Sequence, residues 1–371
     1  MDVSSQLSRK NHDVYIITFD ERLCRLVNFP VFRPTQRRLT RRQVLSRLGD
    51  VCLIELSLGS LFPTSESYRN IKNLLQSCDI IYTKNEVPDM LILRFLANSF
   101  RSVVCGIHTA VWYTVQRSLR SRLHNLIYMS RMYGYLLRQC SAIHIPSVQY
   151  FRLMSNLRVN KSNLFWIPYG IDPPNLFPTE KSGEEHFTIL FAGRLTEQKG
   201  IDVLCKAVDI LSKKPAFDNM LFQIAGSGEL EHLIMDLCRR HHNVKYLGHV
   251  EQNKMPETYS SHDIVIVPSR WESLPFACIE PQACGVPVIA SDIPGPKEVV
   301  TDRVTGILFP PESAEALAKA ILDLLHLKES NPRKFHEMKN LARRNALAKF
   351  SAQVVIERLE HMFLQVLKKN R

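Results

Sequence analysis

Short apolar runs recur along this chain at intervals that suit parallel strands joined by helices. In the first half they fall at residues 14–18, 51–54, 80–83, 103–107, 142–146 and 164–168. In the second half they fall at 188–192, 221–225, 245–247, 264–268, 288–291 and 306–309. Between the later runs the apolar positions take a helical spacing, which predicts helices at 201–211, 230–239, 255–260, 279–283, 296–300 and 314–325. Strand, polar loop, helix, strand is the order of a doubly wound α/β fold. Two such series follow one another. They predict two Rossmann-like domains that face each other across a cleft, with ligands at the carboxyl ends of the strands.

Prolines 168, 173, 174 and 178 mark the join. The expected organisation is a first domain over 1–172, a linker over 173–186, a second domain over 187–350 and a closing segment over 351–371, with a helix at 352–367. No run approaches 18 apolar residues without charge, and the N-terminus has no apolar signal core. The expected location is therefore the cytoplasm. The nine cysteines are scattered, with no CxxC pair and no zinc spacing, and read as reduced structural thiols.

Charge divides the 371 residues unevenly. Residues 1–175 hold 23 Lys and Arg against 11 Asp and Glu, so the whole net charge of +12 lies there. Arginines crowd 33–47, and the stretch 112–138 carries basic, aromatic and leucine positions with no acid at all. No nucleic-acid module signature accompanies them. An anionic membrane surface, reached through 33–47 and 112–138, is one expected partner. Solvated arginine-rich helix faces are the other reading.

The candidate chemistry lies mostly in the second half. Gly193-Arg194-Leu195-Thr196-Glu197-Gln198-Lys199-Gly200 follows a strand directly and precedes a helix. Gly193 lets backbone approach a ligand, and Arg194 and Lys199 place two cations at the mouth of the loop. The loop is neither GxxxxGK[ST] nor GxGxxG, and a basic surface turn is the plain alternative. Gly226 opens a second flexible turn after the next strand. Glu272 and Glu280 stand eight residues apart, the first in a loop and the second in a helix. Cations suit a diphosphate, and an ionised carboxylate suits a diol. His108, with Lys84, Asn85 and Glu86, ends strands of the first domain, where ligand-contacting groups sit. Asp263 and the His241-His242 pair read as surface or capping residues.

FAGRLTEQKG, AGSGELE, LGHV, YSSHD, VPSRWES, the paired glutamates and ACGVPVIAS occur in one order. With NHDVYIIT, GIHT and PYGID of the first half, they resemble the retaining glycosyltransferases of family GT4 (glycosyl transferases group 1), which have the GT-B fold. The resemblance covers about residues 5–365. It implies a hexosyltransferase that takes a UDP- or GDP-sugar donor and needs neither cofactor nor metal. Arg194 and Lys199 would bind the donor diphosphate and Glu280 the ribose. Glu272 would bind the transferred sugar, with backbone N–H groups at Ser273, Leu274, Phe276 and Ala277. Gly226 and the backbone around His249 and Val250 would lie near the nucleotide, and His108 would reach the sugar from the first domain. The closing helix would cross back onto the first domain.

With the basic, amphipathic stretches, this points to a lipid-linked or membrane-associated glycan as acceptor. A soluble sugar phosphate or polysaccharide acceptor is the alternative. Two departures stand out. Pro281 follows the second glutamate, in what is expected to be the first turn of its helix. The usual first strand and glycine-rich loop have no counterpart, so 14–18 and 103–107 are expected to lack a shared neighbour. A non-catalytic nucleotide-sugar-binding relative therefore stays among the alternatives.

Overall fold

A computed structural model describes residues 126–172 and 186–370, together with 14–18, 31–32, 51–55, 79–84, 87, 90–91 and 103–107. His108, Asn85, Glu86, the arginine run at 33–47 and residues 112–125 lie outside the described residues, as does the side chain of Lys84. The chain forms two compact units, Met1–Pro168 with Val355–Arg371, and Tyr169–Val354. The expected bounds of 172 and 351 thus move a few residues, to Pro168 and Val355.

The strands of the first unit are β1 (Val14–Thr18), β2 (Val31–Phe32), β3 (Val51–Glu55), β4 (Ile80–Lys84), β5 (Val103–Gly106), β6 (Ala142–Ile145) and β7 (Leu164–Trp166). They form one parallel sheet in the order β2-β1-β3-β4-β5-β6-β7. β3 pairs with β1 along its whole length and with β4 on its other side. Residues 14–18 and 103–107 indeed share no neighbouring strand, but both β3 and β4 lie between them, and the sheet runs unbroken from Val14–Thr18 to Val103–Gly106. Hydrophobic alternation reveals strands and their faces but not their lateral order, so this pairing was not predictable from it.

Alternation sorts the described side chains of this sheet. Ile81, Val103, Cys105, Ile143 and Ile145 face one way and pack with α1 (Arg131–Arg138) and α2 (Tyr150–Asn156). Ser130 caps α1 by accepting a hydrogen bond from the Tyr133 N–H at 3.1 Å. Ile80, Tyr82, Val104 and Ala142 face the other way.

The second unit holds β8 (Phe187–Ala192), β9 (Met220–Ala225), β10 (Val244–Gly248), β11 (Ile264–Val267), β12 (Val288–Ser291) and β13 (Gly306–Phe309). Its helices are α3 (Ile201–Leu211), α4 (Glu231–Arg240), α5 (Met255–Ser260), α6 (Phe276–Ala283), α7 (Pro294–Val299), α8 (Ala314–Ser330) and α9 (Pro332–Phe350). The parallel sheet has the order β10-β9-β8-β11-β12-β13. Successive strands step outward from β8 and then, beginning at β11, outward the other way. The switch point lies between β8 and β11, where a doubly wound sheet opens its ligand crevice. The sheet is covered on both faces: Phe187, Ile189 and Phe191 point into one core, Leu190 with Val265 and Val267 into the other.

A last helix, α10 (Ala352–Asn370), belongs to the first unit from Val355 onward. Val355, Leu359, Met362, Phe363 and Val366 cover Ile80, Tyr82, Val104 and Ala142. This burial explains the mixed pattern of 352–367: one stripe is core and the rest is solvated.

Two sequence expectations change in the second unit. Asp263 is no surface cap. It is 2% exposed, accepts from the Thr188 N–H at 2.8 Å and the Thr188 hydroxyl at 3.1 Å, and pairs with Lys328 Nζ at 2.8 Å. It ties the starts of β8 and β11 to α8. His241, by contrast, does cap α4 at its C-terminus, partly buried, with its Nε2 2.9 Å from Asp209 Oδ1.

The second change concerns Pro281. Helix α6 begins at Phe276, with Pro275 at its N-cap, so Pro281 is the sixth of eight residues and sits inside the helix. There it removes the bond its N–H would make to the Ala277 carbonyl, a cost well above that of a first-turn proline. Pro281→Ala is expected to raise stability by about 2 kcal/mol, after allowing for the freer unfolded chain. Urea denaturation of the two proteins checks this.

Candidate functional site

Three loops leave the carboxyl ends of β8, β9 and β10 and lock together through backbone. The Gly193 N–H donates to the Ala225 carbonyl at 3.0 Å, and the Gly226 N–H to the Gly248 carbonyl at 2.7 Å. Gly226 has φ +132°, and a Cβ there would lie 1.8 Å from the Gly193 carbonyl oxygen. This turn therefore requires glycine. Gly193 itself is less constrained, because a Cβ there would meet only the Phe191 ring at 3.6 Å. The loops enclose a cavity of about 230 Å³, lined in part by Gly193, Arg194, Gly226, Val250, Gln252 and Tyr259.

Gly200 fixes the next part. It takes φ +69° at the start of α3, and a Cβ there would meet the Pro268 carbonyl oxygen at 2.0 Å. The β8 loop thus lies directly on the β11 loop, as expected of loops leaving paired strands. Arg270 staples the two. Its guanidinium binds both oxygens of Asp202 at 2.8 Å, the Glu197 carbonyl at 2.6 Å and Glu312 Oε1 at 2.7 Å. The bond and charge of Arg270 hold the Asp202 carboxyl below the usual range, against the effect of burial. Arg270 is thereby engaged within the protein.

The close approach brings Lys199 to Glu272. Lys199 Nζ donates to Glu272 Oε1 at 2.5 Å, and the Ser269 hydroxyl donates to the same oxygen at 2.9 Å. Glu272 is only 8% exposed. Arg194 is exposed and donates to Gln198 Oε1 at 3.0 Å, while Gln198 donates to the Trp271 carbonyl at 3.2 Å. The chain then enters α6. The N–H groups of Phe276 and Ala277 occupy its first turn, where no carbonyl of the helix reaches them. Ser273 and the buried Leu274 precede it, and the carbonyls of Glu272 and Ser273 press on Gly295 of α7, where a Cβ would meet them at 2.9 and 2.6 Å. The Phe276 ring stacks on Tyr169, centroids 5.5 Å apart.

Glu280 projects from α6 toward α5. Its Oε2 accepts from the Tyr259 hydroxyl at 3.1 Å and its Oε1 from Gln252 Nε2 at 3.2 Å. Burial raises its pKa, and the two hydrogen bonds oppose that shift. Tyr259 is itself buried, and both burial and the facing Glu280 carboxylate push its hydroxyl well above the ordinary range.

The structure thus joins Lys199 to Glu272. It places Gly193, Arg194, Gly226 and Val250 around one cavity, with Glu280 held by two residues of that cavity's wall. His108 lies outside the described residues. Gln198, Tyr259 and Ser269 stand in the quoted motifs without an assigned role, and Gln252 in none of them. Gln198 sits inside the basic loop and Ser269 three residues before Glu272, spacings that could have marked both as supports. Among the described residues no group of three His, Cys, Asp or Glu side chains is placed to hold a metal. Among them, too, no helix is long and apolar enough to cross a membrane.

A family model described as glycosyl transferases group 1 matches residues 173–344. An uncharacterized glycosyltransferase of Methanocaldococcus jannaschii is 35% identical over 133 residues, 35% of this chain and 33% of that protein. The GDP-mannose-dependent monoacylated alpha-(1-6)-phosphatidylinositol monomannoside mannosyltransferase of Corynebacterium glutamicum is 31% identical over 216 residues, 53% of this chain and 55% of that one. Matched stretches span 33, 36 and 48% of the length of three of the curated relatives. The fold is similar to that of the Anabaena protein HepE, solved with UDP and glucose. Its TM-score is 0.67 at 18% identity, covering 94% of this chain and 90% of that one.

Proposed function

We propose that this protein is a retaining glycosyltransferase of the GT4 type that moves a hexose from a UDP- or GDP-sugar to a glycan acceptor. The observation that carries this reading is the Lys199–Glu272 pair where the β8 and β11 loops meet, with Arg194 lining the cavity after β8 and Glu280 held by two residues of that cavity's wall. The matched family model and the fold shared with HepE, solved with UDP and glucose, support it.

In this reading the donor diphosphate lies between Arg194 and Lys199. Among the described residues Arg194 is exposed and held only by Gln198, so it can turn to an anion. Lys199 exchanges Glu272 for a phosphate oxygen as the sugar–phosphate bond breaks, when negative charge grows on the leaving nucleoside diphosphate. Glu272, released, accepts from the sugar hydroxyls, and the N–H groups at the start of α6 add donors at the same place. Glu280 accepts from the ribose diol. His108 is proposed to reach the sugar from the first unit. The acceptor hydroxyl attacks on the face the diphosphate leaves as the sugar–phosphate bond breaks, its proton passes to the departing phosphate oxygen, and neither glutamate is a covalent nucleophile. No metal takes part: the two cations supply the charge.

The test is a panel of nucleotide-sugars scored for protection from thermal unfolding and for donor hydrolysis. One donor is expected to raise the midpoint and to be hydrolysed slowly without acceptor. Protection without any turnover, with acceptors present, would favour a non-catalytic binding protein instead.

A lipid-linked acceptor is the favoured finer reading. Around α1, Leu126 is 70% exposed and Met129, Met132 and Tyr135 about half exposed, with Arg131 and Arg138 on the same helix. Apolar area beside basic charge suits an anionic bilayer surface, and the Corynebacterium relative's name specifies a phosphatidylinositol-based acceptor. Flotation with anionic vesicles is expected to carry the protein upward, and Met132→Glu with Tyr135→Glu to weaken it. Equal failure to float with anionic and neutral vesicles would favour a soluble acceptor.

A further inference from the structure

Glu280 is held in an uneven way. Each of its oxygens has one donor, but the two donors differ. Tyr259 is 3% exposed and packs in a core cluster with Met255, Cys278 and Ile279, so its ring has one position. Gln252 is exposed and its side chain is free to swing away. Both residues line the cavity. No ion pair to Glu280 occurs among the described residues, and among them these two bonds orient a carboxylate that has three rotatable torsions.

We propose that Tyr259 is a positioning residue for nucleotide recognition: its buried hydroxyl pins one oxygen of Glu280 and so presents the carboxylate to a ribose diol. This rests on the donor site proposed above. An ionised carboxylate offers about four acceptor positions. Tyr259 and Gln252 take two, which leaves room for the two hydroxyls of a ribose, and displacement of Gln252 frees one more. Without the phenol, the carboxylate turns about its side chain and meets the diol in its bonding orientation only part of the time. A tyrosine serving only as a core residue would affect folding without touching the choice between ribose and deoxyribose.

The experiment measures dissociation constants by calorimetry for UDP, GDP and their 2′-deoxy forms. The proteins are the full chain, Tyr259→Phe, Gln252→Ala, Glu280→Gln and the Tyr259→Phe, Glu280→Gln double variant. The native chain is expected to prefer the ribose form of its nucleotide by about tenfold, the order for one hydrogen bond to a charged group. Tyr259→Phe should lower that ratio to about two or three while changing 2′-deoxy affinity little. Gln252→Ala should keep the ratio. Tyr259→Phe combined with Glu280→Gln should discriminate no less than Glu280→Gln alone, because the phenol acts through the carboxylate.

A full ratio in Tyr259→Phe, or equal weakening of both forms, overturns the proposal. Should the phenylalanine chain not fold, the Glu280→Gln ratio decides in its place, since a ratio equal to that of the native chain removes the carboxylate from recognition. A native chain that binds neither nucleoside diphosphate overturns the donor site as well. Binding with discrimination unaltered in Tyr259→Phe but lowered in Glu280→Gln overturns only this inference.

Discussion

Lys199→Ala is expected to lower kcat by about 10²–10³ at saturating donor, the range found when one preorganised charge donor is removed from a transition state. The nucleoside diphosphate product, which gains a full charge, should lose affinity along with the rate. Intact donor should bind only slightly less well, because Lys199 is already neutralised by Glu272 at 2.5 Å and must leave that bond to act. The exchange costs little while Glu272 gains sugar hydroxyls in return. Lys199→Arg should not restore the rate. A guanidinium is a planar fork, whereas the space between Ser269 and the β8 loop holds a compact ammonium. Initial rates with full donor saturation, alongside a thermal midpoint to show that the variant is folded, check the claim. A variant that retains kcat would remove Lys199 from the chemistry.

That Lys199 and Glu272 meet could be reasoned from the chain. FTILFA and IVIV both read as buried strands, and a loop after each carries polar residues. If those strands neighbour each other at the switch point, their loops adjoin. They do: Ile264 pairs with Ile189 and Val265 with Leu190. The hold on Glu280 was less legible. Tyr259 lies 21 positions away, and a tyrosine on a short helix reads as core, which it also is. Only the fold shows that its phenol ends against a carboxylate.

The start of α6 was missed for a related reason. Apolar spacing locates a helix by its buried stripe, while its first turn is set by Pro275 at the cap and by exposed Phe276. That shift of a few residues moved Pro281 from a harmless position to a costly one. The first sheet shows a different limit. Val51–Glu55 was recognisable as a strand, but its place between β1 and β4 depends on lateral pairing, which a single chain does not encode in its alternation.

The second large effect concerns acid. His144 of β6 is 5% exposed and lies in the first unit, on the sheet face that α10 covers. The Tyr82 hydroxyl lies 2.6 Å from its Nδ1 and the Ile167 carbonyl 2.7 Å from its Nε2. A neutral ring satisfies both, with Nε2–H donating to Ile167 and Nδ1 accepting from Tyr82. Burial disfavours the charged ring and lowers its pKa from 6.5 to about 4, against the smaller opposing effect of the Ile167 carbonyl. Above pH 6.5 neither the folded nor the unfolded chain protonates this histidine, and the group has no pH effect. Between 6.5 and 4 the unfolded chain takes up a proton that the folded chain refuses. Stability therefore falls with pH through that window, by about 3 kcal/mol in all.

His144→Gln keeps a donor and an acceptor on a side chain that does not titrate. Its stability should change less between pH 7 and pH 4.5 than that of the native chain, and the difference between the two curves removes the carboxylates they share. Because Ile167 is the last residue but one before the chain enters the second unit, loss of this bond should open the first unit first. Hydrogen exchange at β6 and β7 should then rise in acid before exchange at β8 does. Parallel curves for the two proteins, or acid opening that begins at β8, would show that His144 does not govern the transition.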